Sequence, residues 1–239
     1  EKVTTLAVVP TMATAMIHFP DTGQYDLSSL REVMIGGAAA SPTLIRDLEK
    51  KLGCPAFAGY GLTETSPVAT VAHIKETVGE ISGEERIRRK AMTGYCFSGT
   101  EVCVVDADGK DVPKDSVTMG EIIFRSDIVM DGYWNDPEAT AQAIQDNWLH
   151  TGDVAVWDEH QYVLIVDRKK DIIISGGENI SSLEIEKVIV SHPAVYEVAV
   201  VAIPDEKWGE VPKAFVVLKP GASTTEKEIQ DFVRQHLAD

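Results

Sequence analysis

The stretch 162–186, YVLIVDRKKDIIISGGENISSLEIE, restricts what this chain can fold into more than any other part of it. Residues 162–166 and 172–174 are apolar runs too short for helices and rich in β-branched side chains, the pattern of two strands. Between them stand Asp167-Arg168-Lys169-Lys170-Asp171, and none of these charges can be buried without a partner. Gly176-Gly177 then frees the backbone to turn, or to let a ligand approach closely. Ser181 and Glu184, three apart and ahead of Ile185, Val188 and Ile189, predict a capping-box start to an amphipathic helix. Strand, charged hinge, strand, glycine loop and capped helix read as a seam between two domains. The same residues also suit a solvated β-turn inside one larger domain.

At 239 residues the chain has the length of one large domain or two, enough to bury a substantial core. Its 44% hydrophobic and 25% charged residues are ordinary for a globular protein. A formal charge of -16 argues against a protein that coats nucleic acid or an anionic membrane. A small phosphate-bearing ligand stays open, because it needs only a local cluster of donors. Cys54, Cys96 and Cys103 have no metal spacing and cannot all pair, so packing roles and a reducing, cytoplasmic compartment are expected. No signal peptide stands out, and the apolar stretch 6–19 is too short to span a bilayer and is broken by Pro10. A soluble chain without a membrane span or nucleic-acid partner, cut from something longer, is expected.

Residues 4–9 read as a buried strand, and Pro10 suits the first turn of a helix running to about Phe19. Residues 33–35 form a short strand that empties into Gly36-Gly37-Ala38-Ala39-Ala40. Ser41-Pro42 opens a helix with Leu44, Ile45 and Leu48 on one face, ending at Gly53. This alternation belongs to an α/β layer, whose open sheet binds ligands at the carboxyl ends of its strands. Residues 55–60 are the next strand. Residues 84–90 form a charged run, read as a solvated helix face without function. From Gly94 a β-rich unit begins, with strands at 102–105 and 120–124 flanking an Asp108-Gly109 turn. Asp136-Pro137 starts a short helix through Ile144, and Thr151-Gly152-Asp153 ends a helix-to-strand connection before a strand at 154–157. Beyond the charged hinge the order is strand 172–174, helix 182–190, strands 195–202 and 214–218, and helix 226–237. A small α+β domain fits, stopping in mid-element.

Several residues suit chemistry. YGLTETSP, residues 60–67, sends an aromatic ring, a glycine, a hydroxyl and a carboxylate from one strand end. Tyr60 can stack on a base, Thr63 can donate to a phosphate, and Glu64 can hold a hard cation such as Mg2+. A polar loop capped by Thr63 or Thr65 would use the same residues. Asp153 beside Gly152 suits two bonds from a ribose diol, and equally an Asx turn. Gly36-Gly37 leaves room for a flat ligand or for close helix packing. The absence of Gly-x-Gly-x-x-Gly after the first strand argues against a dinucleotide-binding fold.

Taken in order, YGLTETSP, HTGD, DRKKDIIISGGENISSLEIE and PDEKWGEVPKAFVVL closely resemble the adenylate-forming superfamily, specifically the AMP-forming acyl-CoA synthetases. The resemblance runs from Val3 to the last helix. It implies the C-terminal part of a large α/β domain, residues 1–168, made of an α/β layer (1–93) and a β-rich subdomain (94–168). A small, mobile, truncated α+β domain, 169–239, follows. The implied reaction joins a carboxylic acid to ATP as an acyl-adenylate, releasing pyrophosphate, and CoA sulfur then displaces AMP. The resemblance implies that Tyr60 stacks on adenine, Thr63 contacts the α-phosphate and Glu64 reaches Mg2+. Asp153 would hold the ribose hydroxyls, Arg168 would contact the nucleotide, and Gly36 and Gly37 would lie beside adenine and the acyl group. Lys170 matches the hinge about which the small domain reorients, and Gly176 and Gly177 match the loop lining the pantetheine tunnel of CoA.

The family's Ser/Thr/Gly-rich phosphate loop is missing, as is its catalytic lysine in a Pro-x-x-x-Gly-Lys type motif. Lys213, ahead of a strand in GEVPKAF, is not that lysine. Gly94-Tyr95-Cys96-Phe97-Ser98-Gly99 replaces the prolines of relatives and changes only loop shape. An internal fragment, inactive by itself, is the expectation. IIISGGENISSLEIE leans towards CoA ligases over adenylation domains that load a carrier protein's phosphopantetheine arm. A non-catalytic nucleotide-binding module is the other alternative. Leu62 stands where short-chain relatives carry a bulkier, tryptophan-containing pattern, which favours medium-chain, fatty or aryl acids over acetate.

Proline holds φ near about −65° and restricts the residue before it. Lys170→Pro in the natural gene product is therefore expected to spare acyl-adenylate formation more than its consumption by CoA. Single-turnover measurement of each half-reaction checks this, and an equal loss in both removes the hinge role.

Overall fold

A computed structural model describes residues 2–237 of the chain. The first elements are β1 (Thr5–Val8), α1 (Pro10–His18), β2 (Glu32–Ile35), α2 (Pro42–Leu52), β3 (Ala56–Tyr60) and β4 (Thr70–Val71). Next come α3 (Gly83–Lys90), β5 (Tyr95–Cys96), β6 (Thr100–Val105), β7 (Gly120–Ser126), α4 (Pro137–Ala143) and β8 (Ile144–Gln145). The rest are β9 (Trp148–Trp157), β10 (Val163–Arg168), β11 (Ile173–Ser175), β12 (Glu178–Ile180), α5 (Ser182–Ser191), β13 (Val195–Asp205), β14 (Gly209–Leu218) and α6 (Glu226–His236). This mixture of α/β and α+β architecture is the expected fold class.

The first sheet runs β1-β2-β3-β4-β5, its first three strands parallel and the last two antiparallel. Val8 sits opposite Ile35, and Ile35 opposite Ala58, so β1 and β2 end level while β3 runs two residues further, to Tyr60. Val8, Val33, Ile35, Ile45, Leu48 and Phe57 fill the core beneath. Helix α2 forms as its residues dictate. Ser41 Oγ accepts from Leu44 N at 3.1 Å, Pro42 sits in the first turn, and Gly53 ends the helix in the left-handed region at φ +71°.

A second sheet has the order β10-β9-β7-β6, with β8 paired to β9. Its core contains Val104, Ile122, Phe124, Leu149, Trp157 and Val163. Between β6 and β7, Asp106 Oδ1 accepts from Asp108 N and Lys110 N, and Gly109 takes φ +76°, which makes the expected turn. A third sheet, β12-β11-β14-β13, packs Ile173, Val195 and Val200 against Ile185 and Ile189 of α5. The chain divides into two compact units. The first holds everything described up to Thr151 together with Ala155–Ile165, and the second Gly152–Val154 with everything described from Val166 onward. Residues 1, 238 and 239, the ends of the expected domains, lie outside the described residues.

Several expectations change. The second strand of the opening stretch is Ile173–Ser175, one residue later than its apolar run. β12 is an additional strand, hidden in sequence because Glu178 and Asn179 are polar. β13 and β14 are longer than their apolar cores, because a long antiparallel pairing from Val195↔Leu218 to Asp205↔Gly209 carries them through polar residues. Lys213 consequently lies within β14 opposite Val201, rather than ahead of a strand. Thr151-Gly152-Asp153 is no connection, since β9 runs through it, with Gly152 bending the strand at φ +72°. The cysteines are all free, and burial pushes the Cys103 thiol up to about 11, as suits packing.

The charged run 84–90 is helix α3, yet it is not solvated all round. Arg89 is buried, with Nη1 2.7 Å from Asp158 Oδ2, and its guanidinium carbon lies 4.8 Å from the centre of the Tyr162 ring. Asp158 Oδ1 accepts from Tyr162 N at 2.9 Å. Lys90 Nζ meets Glu49 Oε1 at 2.6 Å. A helix with charge on every side can bury one face only when each buried charge meets its opposite. Arg89→Ala strands the buried Asp158 carboxylate and is expected to cost about 3–5 kcal/mol, whereas Arg86→Ala on the exposed face should stay within about 0.5 kcal/mol. Urea unfolding midpoints of the two variants provide the comparison.

Candidate active site

In the first unit, adjacent parallel strands put two loops at the same sheet end. Gly36-Gly37 follows β2, and residues 61–67 follow β3. A Cβ on Gly36 would press to 3.3 Å of the Gly59 carbonyl, so this glycine serves close backbone packing between strands. Gly37 sits at φ +83°, a conformation that favours glycine. In the second loop, a Cβ on Gly61 would fall on the Pro67 carbonyl. Thr65 is fully buried, and its hydroxyl accepts from Leu62 N at 2.8 Å and donates to Leu62 O at 3.0 Å. Thr65 is thus the loop's internal tie, while Thr63 is exposed and Glu64 half-buried. Tyr60, at the end of β3, is half-buried with its ring 6.1 Å from that of Phe124.

Tyr133 is the residue sequence reasoning missed. Its hydroxyl donates to Glu64 Oε1 at 2.7 Å, and that bond pushes the phenol above its usual pKa. Met130 N also donates to the Glu64 carbonyl at 2.9 Å. Tyr133 is itself held by Thr140, whose Oγ1 accepts from Tyr133 N at 2.9 Å and donates to Asp136 O at 2.8 Å. Only the Asp136-Pro137 helix start hinted in sequence that this loop was built. Among the described residues no group of three or more His, Cys, Asp or Glu side chains could hold a metal. A single carboxylate fits Mg2+ that arrives bound to phosphates, since Mg2+ keeps most of its water and takes one or two protein oxygens.

The second unit brings Asp153 and Arg168 together, with Arg168 Nε 3.9 Å from Asp153 Oδ1. Asp153 is buried, whereas the Arg168 side chain is 63% exposed, so the guanidinium remains open to a ligand. Lys169 N donates to Gly152 O at 2.7 Å, which ties the end of β10 to the bend in β9. Lys170 is exposed in the turn that follows, where Asp171 N and Ile172 N both reach back to Arg168 O. Gly176-Gly177 is the two-residue turn of the β11–β12 hairpin, with φ +60° and +92°. Paired positive φ values mark the type I′ geometry that Gly-Gly favours, a clue present in the sequence. A Cβ on Gly176 would lie 2.7 Å from the Trp208 ring, and Gly176 N donates to Trp208 O at 2.8 Å.

Residues 1–134 match the AMP-binding enzyme family, and residues 184–239 match the AMP-binding enzyme C-terminal domain. The chain belongs to the AMP-binding enzymes. A long-chain-fatty-acid–CoA ligase of Thermus thermophilus is 42% identical over 98% of this chain and 43% of its own length. A peroxisomal acetate/butyrate–CoA ligase of Arabidopsis thaliana is 41% identical over 99% of this chain and 41% of its own. The chain therefore spans less than half the length of these curated relatives. Among solved structures, o-succinylbenzoate CoA synthetase of Bacillus subtilis, in complex with its acyl-adenylate intermediate, aligns with a TM-score of 0.82 at 32% identity. That alignment covers 99% of this chain and 45% of the other. An amide bond synthetase of Marinactinospora thermotolerans aligns with a TM-score of 0.84 at 33% identity, over 99% and 47% of the two chains. No helix among the described residues is long and apolar enough to cross a membrane.

Alanine at either glycine of the hairpin turn must adopt a positive φ, at a cost of about 1 kcal/mol. Gly176→Ala must in addition displace the Trp208 indole, whereas nothing lies within 4 Å of a Cβ on Gly177. Gly176→Ala is expected to lower the urea midpoint further than Gly177→Ala and to change tryptophan fluorescence in the native state. Matching fluorescence in both variants would contradict this packing.

Proposed function

We propose that the natural gene product is an AMP-forming acid–thiol ligase. It activates a carboxylic acid with ATP as an acyl-adenylate and passes the acyl group to CoA. The observation that carries this reading is the pairing of buried Asp153 with exposed Arg168, an acceptor for hydroxyls beside a cation for phosphate. Family membership and relatives named as CoA ligases support it.

In this reading ATP enters with Mg2+ as its substrate complex. The carboxylate of the acid attacks the α-phosphorus, and pyrophosphate leaves in line. Thr63, exposed at the loop tip, donates to the α-phosphate where charge accumulates in the transition state. Tyr133 engages one oxygen of Glu64, and the other oxygen would hold the Mg2+ that arrives with ATP. Tyr60 supplies a flat apolar surface for adenine, and Gly36-Gly37 add no side chains to the loop after β2. Asp153 accepts from the ribose hydroxyls, and Arg168 offsets phosphate charge. In the second half-reaction the CoA sulfur attacks the acyl carbonyl and AMP departs. Gly176 and Gly177 border the path of the pantetheine arm, and Lys170 is the pivot about which residues 169–239 reorient.

Relatives of nearly equal identity are named for long-chain fatty acids and for acetate or butyrate, so overall likeness does not select the acid. Leu62, next to Thr63 in the loop, favours a medium-chain, fatty or aryl acid. Three free cysteines suit a cytoplasmic setting.

Asp153→Ala removes charge-assisted acceptor bonds worth about 1.5–3 kcal/mol each. The expected result in initial-rate assays is an ATP KM raised by at least about tenfold, with an unchanged circular dichroism spectrum. An unaltered ATP dependence would take Asp153 out of the site. The 239 residues expressed by themselves should release no pyrophosphate from ATP with any acid, and robust pyrophosphate exchange by that chain would overturn this part of the reading.

A further inference from the structure

Asp167 is 1% exposed, and its partners among the described residues are backbone amides and serine hydroxyls rather than a cation. Its charge is met instead by the first turn of α5. Oδ2 accepts from Ser182 N at 2.6 Å, from Ser182 Oγ at 2.8 Å and from Leu183 N at 3.3 Å. Ser181 completes the arrangement. Its Oγ donates to Val166 O at 2.7 Å, accepts from Glu184 N at 3.1 Å, and lies 3.2 Å from Asp167 Oδ2. The amides of Ser182, Leu183 and Glu184, which no helix bond can satisfy, all find acceptors in this way. A carboxylate at a helix N-terminus is also favoured by the helix dipole.

The other oxygen, Oδ1, accepts from Arg168 N at 2.7 Å. One buried carboxylate therefore holds α5 with one oxygen and the backbone of Arg168 with the other. Arg168 is secured from its far side as well, because its carbonyl accepts from Asp171 N and Ile172 N while Lys169 N is bonded to Gly152 O. A long, exposed side chain such as Arg168 has many rotamers, and what limits where its guanidinium can go is the position of its backbone. Asp167 supplies the bond to the Arg168 amide that ties this backbone to α5.

We infer that Asp167 is a positioning residue for the nucleotide reaction, fixing Arg168 beside Asp153 through the first turn of α5. The inference rests on the nucleotide role proposed for Arg168. Simple helix capping would affect stability alone. Positioning predicts in addition a loss of ATP recognition in protein that remains folded.

The test is a double-mutant cycle in the natural gene product, with initial rates measured against ATP for Asp167→Asn, Arg168→Ala and the two combined. An amide offers one acceptor oxygen, so in Asp167→Asn either Arg168 N or the first turn of α5 must face an NH2 group. Asp167→Asn is expected to raise the ATP KM about tenfold while kcat changes by less than about threefold. In the Arg168→Ala background the same substitution should add no further rise, because the group it positions is gone. A lowered thermal midpoint with unchanged ATP KM, or KM increases that multiply independently, would overturn the inference. If Asp167→Asn fails to fold, Ser182→Ala removes one donor to Oδ2 and is expected to raise the ATP KM about threefold, with no change overturning it. Arg168→Ala alone reports on the underlying reading: a normal ATP KM in that variant removes Arg168 from the nucleotide site and the inference with it.

Discussion

A buried carboxylate must be met by donors or it will not stay buried, and the second unit is organised around how Asp167 meets them. The segment DRKKD carries charges of both signs in a row, but only Asp167 goes inside. It can do so because α5 begins close by and presents amides that have no partner in their own helix. The end of β10, the start of α5 and the bend in β9 at Gly152 are thereby brought into register within one unit. The pairing of Asp153 with Arg168 follows from that register.

The first unit rests on a different constraint, the parallel pairing of its first three strands. Parallel pairing delivers the loops after β2 and β3 to the same end of the sheet, where backbone groups are no longer used by neighbouring strands. Small residues after β2 and the internally tied loop after β3 keep that end open. Tyr133 adds a long-range element. It comes from a segment about seventy residues further along the chain, held by its own hydrogen bonds to Thr140, and reaches Glu64.

Local rules carried much of the fold. The proline-started α1, the Ser41-Pro42 opening and Gly53 ending of α2, the Asp106–Lys110 turn and the Ser181 cap all formed as residue chemistry dictates. The misreadings share a cause. Polar strands such as β12, the polar ends of β13 and β14, and the passage of β9 through Thr151-Gly152-Asp153 are held by pairing to a partner strand rather than by apolar periodicity. Arg89 belongs with these, since its burial depends on Asp158, far away in sequence.

The sequence by itself determined the family and the fold class, and it named candidate residues for a nucleotide, because residue type, spacing and order are all local properties. Tertiary structure alone decided which charges go inside, which polar segments become strands, and which distant side chains support the candidate site. Asp167 and Asp171 flank the same three cations, and no local rule separates them. One of them found the start of α5 within reach and the other found water. That difference arises only once the chain has folded, because the free energy of a buried charge is set by the donors around it in space.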